Sequence, residues 1–400
     1  MKYLKYIFFL LFLFQGISLS LQAQEDGCGT RTGRIPRIRE SELARWERIV
    51  LANEHQEQVI RVNVHFVLHP NDIIFLDTLR NFHPSMPEGS GLENGYQYAE
   101  RLVKSTNEIL ESNSKMFLIP GNTVEVRPAK IKIQLSGVFF DVGFPSQGPG
   151  LKSTHDIHKK NPDDCFEVYI YGKGGHNIRY SGIASLPGTY LILYNNWCSY
   201  LNDYNKLQNN PQEPVYSYAI QVRTLAHELG HCLNLYHAMV GGRNDDCSDT
   251  PTSKEAKDYA LEIIKVKDRD PGHYWVKTRY AETDTIIPDE DRWKTKSNNL
   301  MDYGSGIPAA ITPQQIAKMH IRLTNPEMHF YKKGNIRKET EIVRNFSNNK
   351  SVIARKVVIA PNETLTIPPE KALFVSCKEL EIKKGFVVGK GGVFQINIEK

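Results

Sequence analysis

The chain has 400 residues, of which 40% are hydrophobic and 24% are charged, and this balance is typical of a globular protein with a sizeable core. The composition excludes a disordered or fibrous protein, and the length favours two or three domains. The formal net charge of +5 is small for this size, so we expect neither a nucleic-acid partner nor binding to a membrane surface.

Residues 1–23 have the pattern of a secretory signal peptide. Lys2 and Lys5 give a positive start, residues 6–14 are an unbroken apolar run, and Ala23 offers a cleavage site. The run is shorter than the roughly 20 residues that span a bilayer, and no other apolar segment is long enough. We therefore expect a secreted, extracellular protein, free or associated with the cell surface, without a transmembrane segment.

Residues 24–58 are polar and rich in arginine, with a predicted helix over residues 41–51. The segment has little apolar content for a core. It fits either a flexible arm or a propeptide in which the arginines offer cleavage sites, and we favour the propeptide.

Strand and helix patterns are mixed over residues 59–335, which we interpret as one α/β (α+β) domain. Period-2 alternation and extended composition predict strands over residues 60–68, 124–140, 166–170 and 182–193, the last interrupted at Pro187-Gly188. Apolar residues at helical spacing predict helices over residues 94–116 and 215–235. Another helix is predicted over residues 313–323, where Thr312 is the N-cap and Gln315 completes a capping box.

The character of the sequence changes over residues 336–400. Short β-rich runs, separated by Pro, Asn and Gly, cover residues 352–359, 365–367, 373–375, 380–382 and 393–398. We predict a small all-β C-terminal module.

The run His227-Glu228-Leu229-Gly230-His231 lies within the predicted helix over residues 215–235. Positions i and i+4 share one helix face, so both histidines can bind one zinc ion, at about 2.0–2.1 Å. Glu228 can reach a water at the open metal position and act as the general base. This pattern favours a zinc hydrolase over a polar helix with incidental histidines.

A catalytic zinc site needs a third protein ligand. His237 lies six residues after His231, and a continued helix would place it on the wrong face. Asn234 tolerates the left-handed backbone that ends many helices, so a turn there can bring His237 back to the metal. We therefore predict one catalytic Zn²⁺ with the ligands His227, His231 and His237.

The segment from His227 to His237 resembles the extended zinc motif HExxHxxGxxH of the metzincins, with Asn234 where that family usually has glycine. Leu300-Met301-Asp302-Tyr303 and residues 182–187, 248–251 and 311–319 are similar to the pappalysin family. The resemblance covers roughly residues 55–330. It implies a twisted mixed sheet with an active-site helix and a C-terminal helix, and an endopeptidase that acts on proteins or peptides.

The resemblance also implies roles for residues outside the zinc motif. Met301 would form the methionine turn under the zinc, and Tyr303 would hydrogen-bond the oxyanion or the metal. Gly182, Ile183 and Ala184 would belong to the edge strand that pairs with an extended substrate. The alternatives are an ordinary core residue for Met301 and a packed aromatic side chain for Tyr303.

The loop after the zinc motif is rich in oxygen ligands, from Asp245, Asp246, Asp249 and Thr250. It fits either a Ca²⁺ site, which pappalysin-like proteins often have in this region, or a solvated acidic loop. We interpret residues 258–296 as a surface insertion near the cleft.

Six cysteines in an exported protein indicate some disulfide bonds, although the sequence does not give their pairing. Cys28 lies in the presumed propeptide and is a candidate cysteine switch, like that of some metzincin zymogens. Its alternatives are a disulfide and a free thiol. Cys232 is expected to face away from the metal, either as a core residue or paired with Cys247.

Two alternative functions remain. A gluzincin would use Glu255 as its third ligand, but it would leave His237, Met301 and Tyr303 unexplained. A surface binding or adhesion protein would use zinc only structurally, but structural zinc sites are usually closed by four protein ligands. The sequence indicates no oligomeric state.

Overall fold

A computed structural model describes residues 37–68, 94–116, 123–142, 150–171, 181–194, 216–238, 245–250, 298–302 and 309–399, with the side chains of 216–238 described from Gln221 onward. These residues form a mixed α/β fold with a β-rich C-terminal region, which confirms the predicted fold class at this level. No helix in these ranges is long and apolar enough to cross a membrane.

A five-stranded sheet is the centre of the fold. Its strands are β1 (Gln58–Leu68), β2 (Ile131–Val142), β3 (Phe166–Tyr171), β4 (Gly182–Ala184) and β5 (Tyr190–Leu193). They lie in the order β2-β1-β3-β5-β4. The first four in this order run parallel, whereas β4 pairs antiparallel with β5 at the sheet edge.

The two faces of this sheet differ because successive side chains of a strand point to opposite sides. On β1, Ile60, Val62, Val64 and Phe66 belong to the main hydrophobic core. The residues between them are polar and also buried. Of these, His65 lies between two carboxylates, with its Nδ1 2.6 Å from Asp141 Oδ2 and its Nε2 2.5 Å from Glu167 Oε2.

Five α-helices accompany the sheet within the described residues: α1 (Glu40–Leu51), α2 (Gly95–Ser112), α3 (Leu151–His158), α4 (Tyr216–Cys232) and α5 (Pro313–Thr324). A 3₁₀ helix, Pro326–Tyr331, follows α5. The capping box of Thr312 and Gln315 is present as predicted, and Asn94 and Gln97 form a second one at α2. Helix α4 packs against α2 and against the strands β4 and β5.

Helix α1 lies in the segment predicted as an arm or propeptide. It packs along α5, its Val50 is completely buried, and Trp46 stacks on His320 with ring centroids 5.8 Å apart. Residues 40–51 are therefore attached to the main core. Removal of residues 24–58 as a propeptide stays a prediction.

The C-terminal residues form a parallel β-solenoid, in which strands from successive turns of the chain pair with one another. We call this module the C-terminal coil. Its strands are β6 (Thr340–Val343), β7 (Lys350–Ile353), β8 (Lys356–Ile359), β9 (Leu365–Ile367), β10 (Ala372–Cys377), β11 (Glu379–Ile382), β12 (Phe386–Val388) and β13 (Val393–Ile398). They build three parallel sheets, ordered β13-β10-β7, β11-β8-β6 and β12-β9. The predicted run over residues 352–359 is two strands, since the chain turns between Ile353 and Lys356.

This coil is joined to the main domain. Ala372 and Phe374 belong to the same hydrophobic cluster as the central sheet. Asn349 Nδ2 donates to the carbonyl of Val138 at 2.9 Å, and Asn397 Nδ2 donates to the carbonyl of Leu135 at 3.0 Å. The coil therefore covers the β2 side of the sheet, away from the edge strand β4.

Candidate metal centre

Helix α4 and the turn after it bring three imidazoles together. The Nε2 atom of His231 lies 3.1 Å from that of His227 and 3.0 Å from that of His237, and the third separation is 3.3 Å. Four ligands at 2.0–2.1 Å from a tetrahedral zinc ion stand about 3.3–3.4 Å apart, so the triangle has nearly the size of one face of that tetrahedron. Among the described residues, these three histidines are the only group of His, Cys, Asp or Glu side chains that could hold a metal ion.

Backbone carbonyls fix the orientation of two of these rings. His227 Nδ1 donates to the carbonyl of Leu300 at 2.7 Å, and His231 Nδ1 donates to the carbonyl of Leu235 at 2.7 Å. A carbonyl only accepts, so each ring carries its proton on Nδ1 and directs the lone pair of Nε2 at the shared point. Sequence patterns gave no sign of these carbonyls, because only the folded chain brings them close.

Burial keeps the three rings neutral. Desolvation lowers the pKa of His227 to about 4 and that of His237 to about 2, and it holds the pKa of His231 well below its usual value. A metal binds the neutral imidazole. The free lone pairs are thus available at neutral pH without loss of a proton.

The end of α4 explains how His237 reaches the site. Asn234 has a φ of +74°, which is the left-handed conformation that the sequence predicted. The amide of Leu235 donates to the carbonyl of Gly230 at 2.9 Å, and that of Asn234 donates to the carbonyl of His231 at 2.9 Å. These two bonds define a Schellman helix end with asparagine at the position usually held by glycine. The substitution of glycine by asparagine is therefore compatible with the turn.

Met301 lies directly beside α4 and is completely buried. A Cβ atom placed on Gly230 would be 2.5 Å from Met301 Sδ, so glycine at 230 lets the methionine approach the helix. Met301 N donates to Asn299 Oδ1 and the carbonyl of Met301 accepts from Ala238 N, both at 2.9 Å. The segment 298–302 thus supports both the helix and the residue after the third histidine.

Glu228 is completely buried and faces the edge strand β4. A Cβ atom on Gly182 would lie 2.6 Å from Glu228 Oε1. Ala184, two residues along the strand, is buried in the main core. The structure therefore brings the predicted base and the predicted edge strand into contact.

Within residues 245–250, part of the acidic loop is packed against the protein. Asp245 and Thr250 are buried, and Asp245 Oδ1 accepts from Thr250 Oγ1 at 2.8 Å. Asp249 accepts from Thr312 Oγ1 at 2.7 Å and from Gln314 N at 2.9 Å, so it binds the N-terminus of α5. Asp246 is exposed. These contacts join the loop to α5, and a Ca²⁺ ion at this place stays a prediction.

The four cysteines in the described residues are free and buried: Cys165, Cys232, Cys247 and Cys377. Cys232 points away from the three Nε2 atoms, and its Sγ donates to the carbonyl of Tyr190 at 3.7 Å. Of the two alternatives for Cys232, the structure shows the core residue and not the pairing with Cys247. With these four free, the one pair left for a disulfide is Cys28 with Cys198, and both lie outside the described residues.

Three other predictions also fall outside the described residues. These are the role of Tyr303, the alternative ligand Glu255 and the insertion over residues 258–296. The cysteine switch at Cys28 belongs with them. All four stay predictions.

Comparison with known protein families finds no match, and no curated protein matches the chain. The function proposed below therefore rests on the chemistry of the site and on the resemblance of its sequence motifs to the pappalysins.

Proposed function

We propose that this chain is a secreted, zinc-dependent endopeptidase similar to the pappalysin family of metzincins. The observation that carries the proposal is the triangle of His227, His231 and His237 Nε2 atoms, with separations of 3.0–3.3 Å. Glu228, which follows His227 on α4, is completely buried. Three neutral imidazoles are the donor set of a catalytic zinc site with one open position, which a water can occupy.

The residues divide the chemistry between them. Zinc, when bound, supplies a Lewis acid and lowers the pKa of a coordinated water toward about 7. The carboxylate of Glu228 accepts a proton from the attacking water and can deliver that proton to the leaving amine. Because Glu228 is screened from bulk solvent, its carboxylate has few competing hydrogen bonds to water. Tyr303 is proposed, by the family resemblance, as the donor to the oxyanion.

The edge strand supports a peptide as the substrate. Within the described sheet, β4 is the last strand in the order and pairs antiparallel with β5. An extended peptide can add to such an edge through main-chain hydrogen bonds. Since β4 touches Glu228 at Gly182, a peptide bound there would pass close to the base.

The alternatives receive less support from the same geometry. A gluzincin with Glu255 would leave His237 without a role, although its Nε2 already occupies the third corner of the triangle. A structural zinc site would need a fourth protein ligand, and no other His, Cys, Asp or Glu of the described residues joins the group.

A cleavage profile on a peptide library tests the proposal. The chain without residues 1–23, and a shorter form without residues 1–36 that lacks Cys28, are each assayed as purified, after a zinc chelator, and after zinc is restored. We expect cleavage that is lost with the chelator and recovered with zinc. Cleavage that persists in the metal-free protein, or a fully zinc-loaded protein that cleaves no peptide and no unfolded protein, would overturn it.

A further inference from the structure

The edge strand β4 presents its smallest residues to the helix that carries the metal ligands. Side chains alternate along a strand, so Gly182 and Ala184 share the face toward α4. Ile183 lies on the opposite face, where it packs on a cluster that includes Tyr169 and Ile192. The alternation small–large–small thus matches a close approach of β4 to α4.

Gly182 is a glycine because of space and not because of backbone conformation. Its φ lies outside the left-handed region, so alanine could adopt the same backbone. A Cβ atom there would be 2.6 Å from Glu228 Oε1, 2.7 Å from Cγ and 2.9 Å from Cδ. These separations are far below van der Waals contact, and all three atoms belong to the side chain of Glu228.

The end of β4 that leads into the turn before β5 is held next to α4. The turn between β4 and β5 contacts the last residue of the helix, where Gly188 N donates to the carbonyl of Cys232 at 3.2 Å. Cys232 Sγ in turn donates to the carbonyl of Tyr190. Because the turn is attached to the helix, β4 cannot move away freely, and a larger residue at 182 must displace Glu228 instead.

We propose that Gly182 is a positioning residue for Glu228: the absence of a side chain at 182 sets where the Glu228 carboxylate stands relative to the three histidines. This inference rests on the proposed function, in which Glu228 is the base. In addition, β4, the strand proposed to pair with the substrate, touches Glu228 directly, and this contact limits the positions that the carboxylate can take.

The first test compares Gly182→Ala with the control Ile192→Val, which lies on the neighbouring strand β5 in the same cluster as Ile183. We expect Gly182→Ala to bind one zinc per chain, as the unchanged protein does, and to keep its KM within about threefold. Its kcat should fall roughly a hundredfold, because a displacement of a catalytic group by about 1 Å costs this much in rate. Ile192→Val should keep kcat within about threefold. A Gly182→Ala protein with kcat as high as the control would overturn the proposal.

Glu228→Asp separates an effect through the base from an effect on peptide binding. The aspartate carboxylate is one methylene shorter and withdraws from the strand. We therefore expect Gly182→Ala to lower kcat by less than about threefold in the Glu228→Asp background. An undiminished loss in that background would mean that residue 182 acts on the substrate or the fold, and the proposal would be wrong.

A double-mutant cycle on the free energy of unfolding tests the contact between residue 182 and Glu228 even if the chain cleaves no peptide. Gly182→Ala should raise the equilibrium constant for unfolding roughly fivefold in urea, because the buried Glu228 must move. In the Glu228→Ala background the same change should leave that constant unaltered or lower it. Equal effects in both backgrounds would show that residue 182 does not act through Glu228 and would overturn this proposal. Lack of cleavage by the unchanged protein would overturn only the proposed function.

Discussion

Arg61 on β1 and Glu399 after β13 form a completely buried ion pair. The guanidinium Nε donates to Glu399 Oε1 at 2.6 Å, and a second nitrogen of the same group donates to Oε2. The remaining donor, Nη1, reaches the carbonyl of Phe330 at 2.8 Å. The pair joins the central sheet to the end of the C-terminal coil, so packing continues across residue 336, and the domain boundary there stays a prediction.

The first prediction concerns this pair. Glu399→Ala leaves a buried guanidinium without its carboxylate, and we expect the free energy of unfolding to fall by about 3–5 kcal/mol in urea denaturation. Glu381→Ala, at a half-exposed surface glutamate, should change it by less than about 1 kcal/mol. A Glu399→Ala protein as stable as this control would show that the coil is only loosely attached.

The second prediction concerns the base. Glu228→Gln keeps the shape of the side chain but cannot accept a proton, so kcat should fall by roughly 10²–10⁴. Zinc content, measured by elemental analysis, and the thermal midpoint should stay close to those of the unchanged protein. Activity within tenfold of the unchanged protein would remove Glu228 from the mechanism, and so would the same result with Glu228→Ala.

The third prediction concerns the third ligand. His237→Ala should weaken zinc binding and lower the zinc content after dialysis against a weak chelator, because only two imidazoles remain. His329→Ala is the matched control, since His329 is exposed on the 3₁₀ helix. Full zinc retention by His237→Ala would favour a different third ligand, such as Glu255.

The fourth prediction concerns pH and the contact between α1 and α5. His320 Nε2 donates to the carbonyl of Ala129 at 2.8 Å, and its ring stacks on Trp46 and meets the edge of His55. Burial lowers the pKa of His320 to about 4. Below pH 6.5 the unfolded chain takes up a proton that the folded chain does not, so stability should fall as the pH drops from about 6.5 to 4, by up to roughly 3 kcal/mol.

The measurement for His320 is the urea midpoint of zinc-loaded protein at several pH values between 7 and 4.5. Other buried histidines also titrate, so the unchanged protein is compared with His320→Gln, whose amide can still donate to Ala129. We expect a shallower pH dependence for His320→Gln. Identical slopes for the two proteins would contradict the neutral state of His320.

The sequence predicted those parts of the site whose geometry is set by residues close together along the chain. The spacing of His227 and His231 follows from the helix, and the left-handed turn at Asn234 follows from the conformational tolerance of asparagine. The capping box of Thr312 and Gln315 is likewise a pattern within four residues. In each case the physical cause is contained in a short stretch of chain.

The remaining features depend on tertiary contacts. Helix α3 was not predicted, because Lys152, Ser153 and Asp156 give it a polar sequence without a clear apolar face. The strand predicted from residue 124 begins only at Ile131, because Lys130 has a φ of +51° and bonds to the carbonyls of Asn53 and His55. The parallel pairing of the C-terminal coil was also not predictable, since alternation identifies a strand but not its partner.

The turn at Asn234 has a consequence for how a metal would affect folding. His227 and His237 are only ten positions apart, so an ion bound to both closes a very short loop. Loop-closure entropy grows with the logarithm of loop length and amounts here to about 2 kcal/mol. The ion would therefore restrict the unfolded chain only slightly. With two rings already held by carbonyls, we expect metal-free protein to keep its fold, so that a bound zinc ion could be removed and returned without refolding the chain.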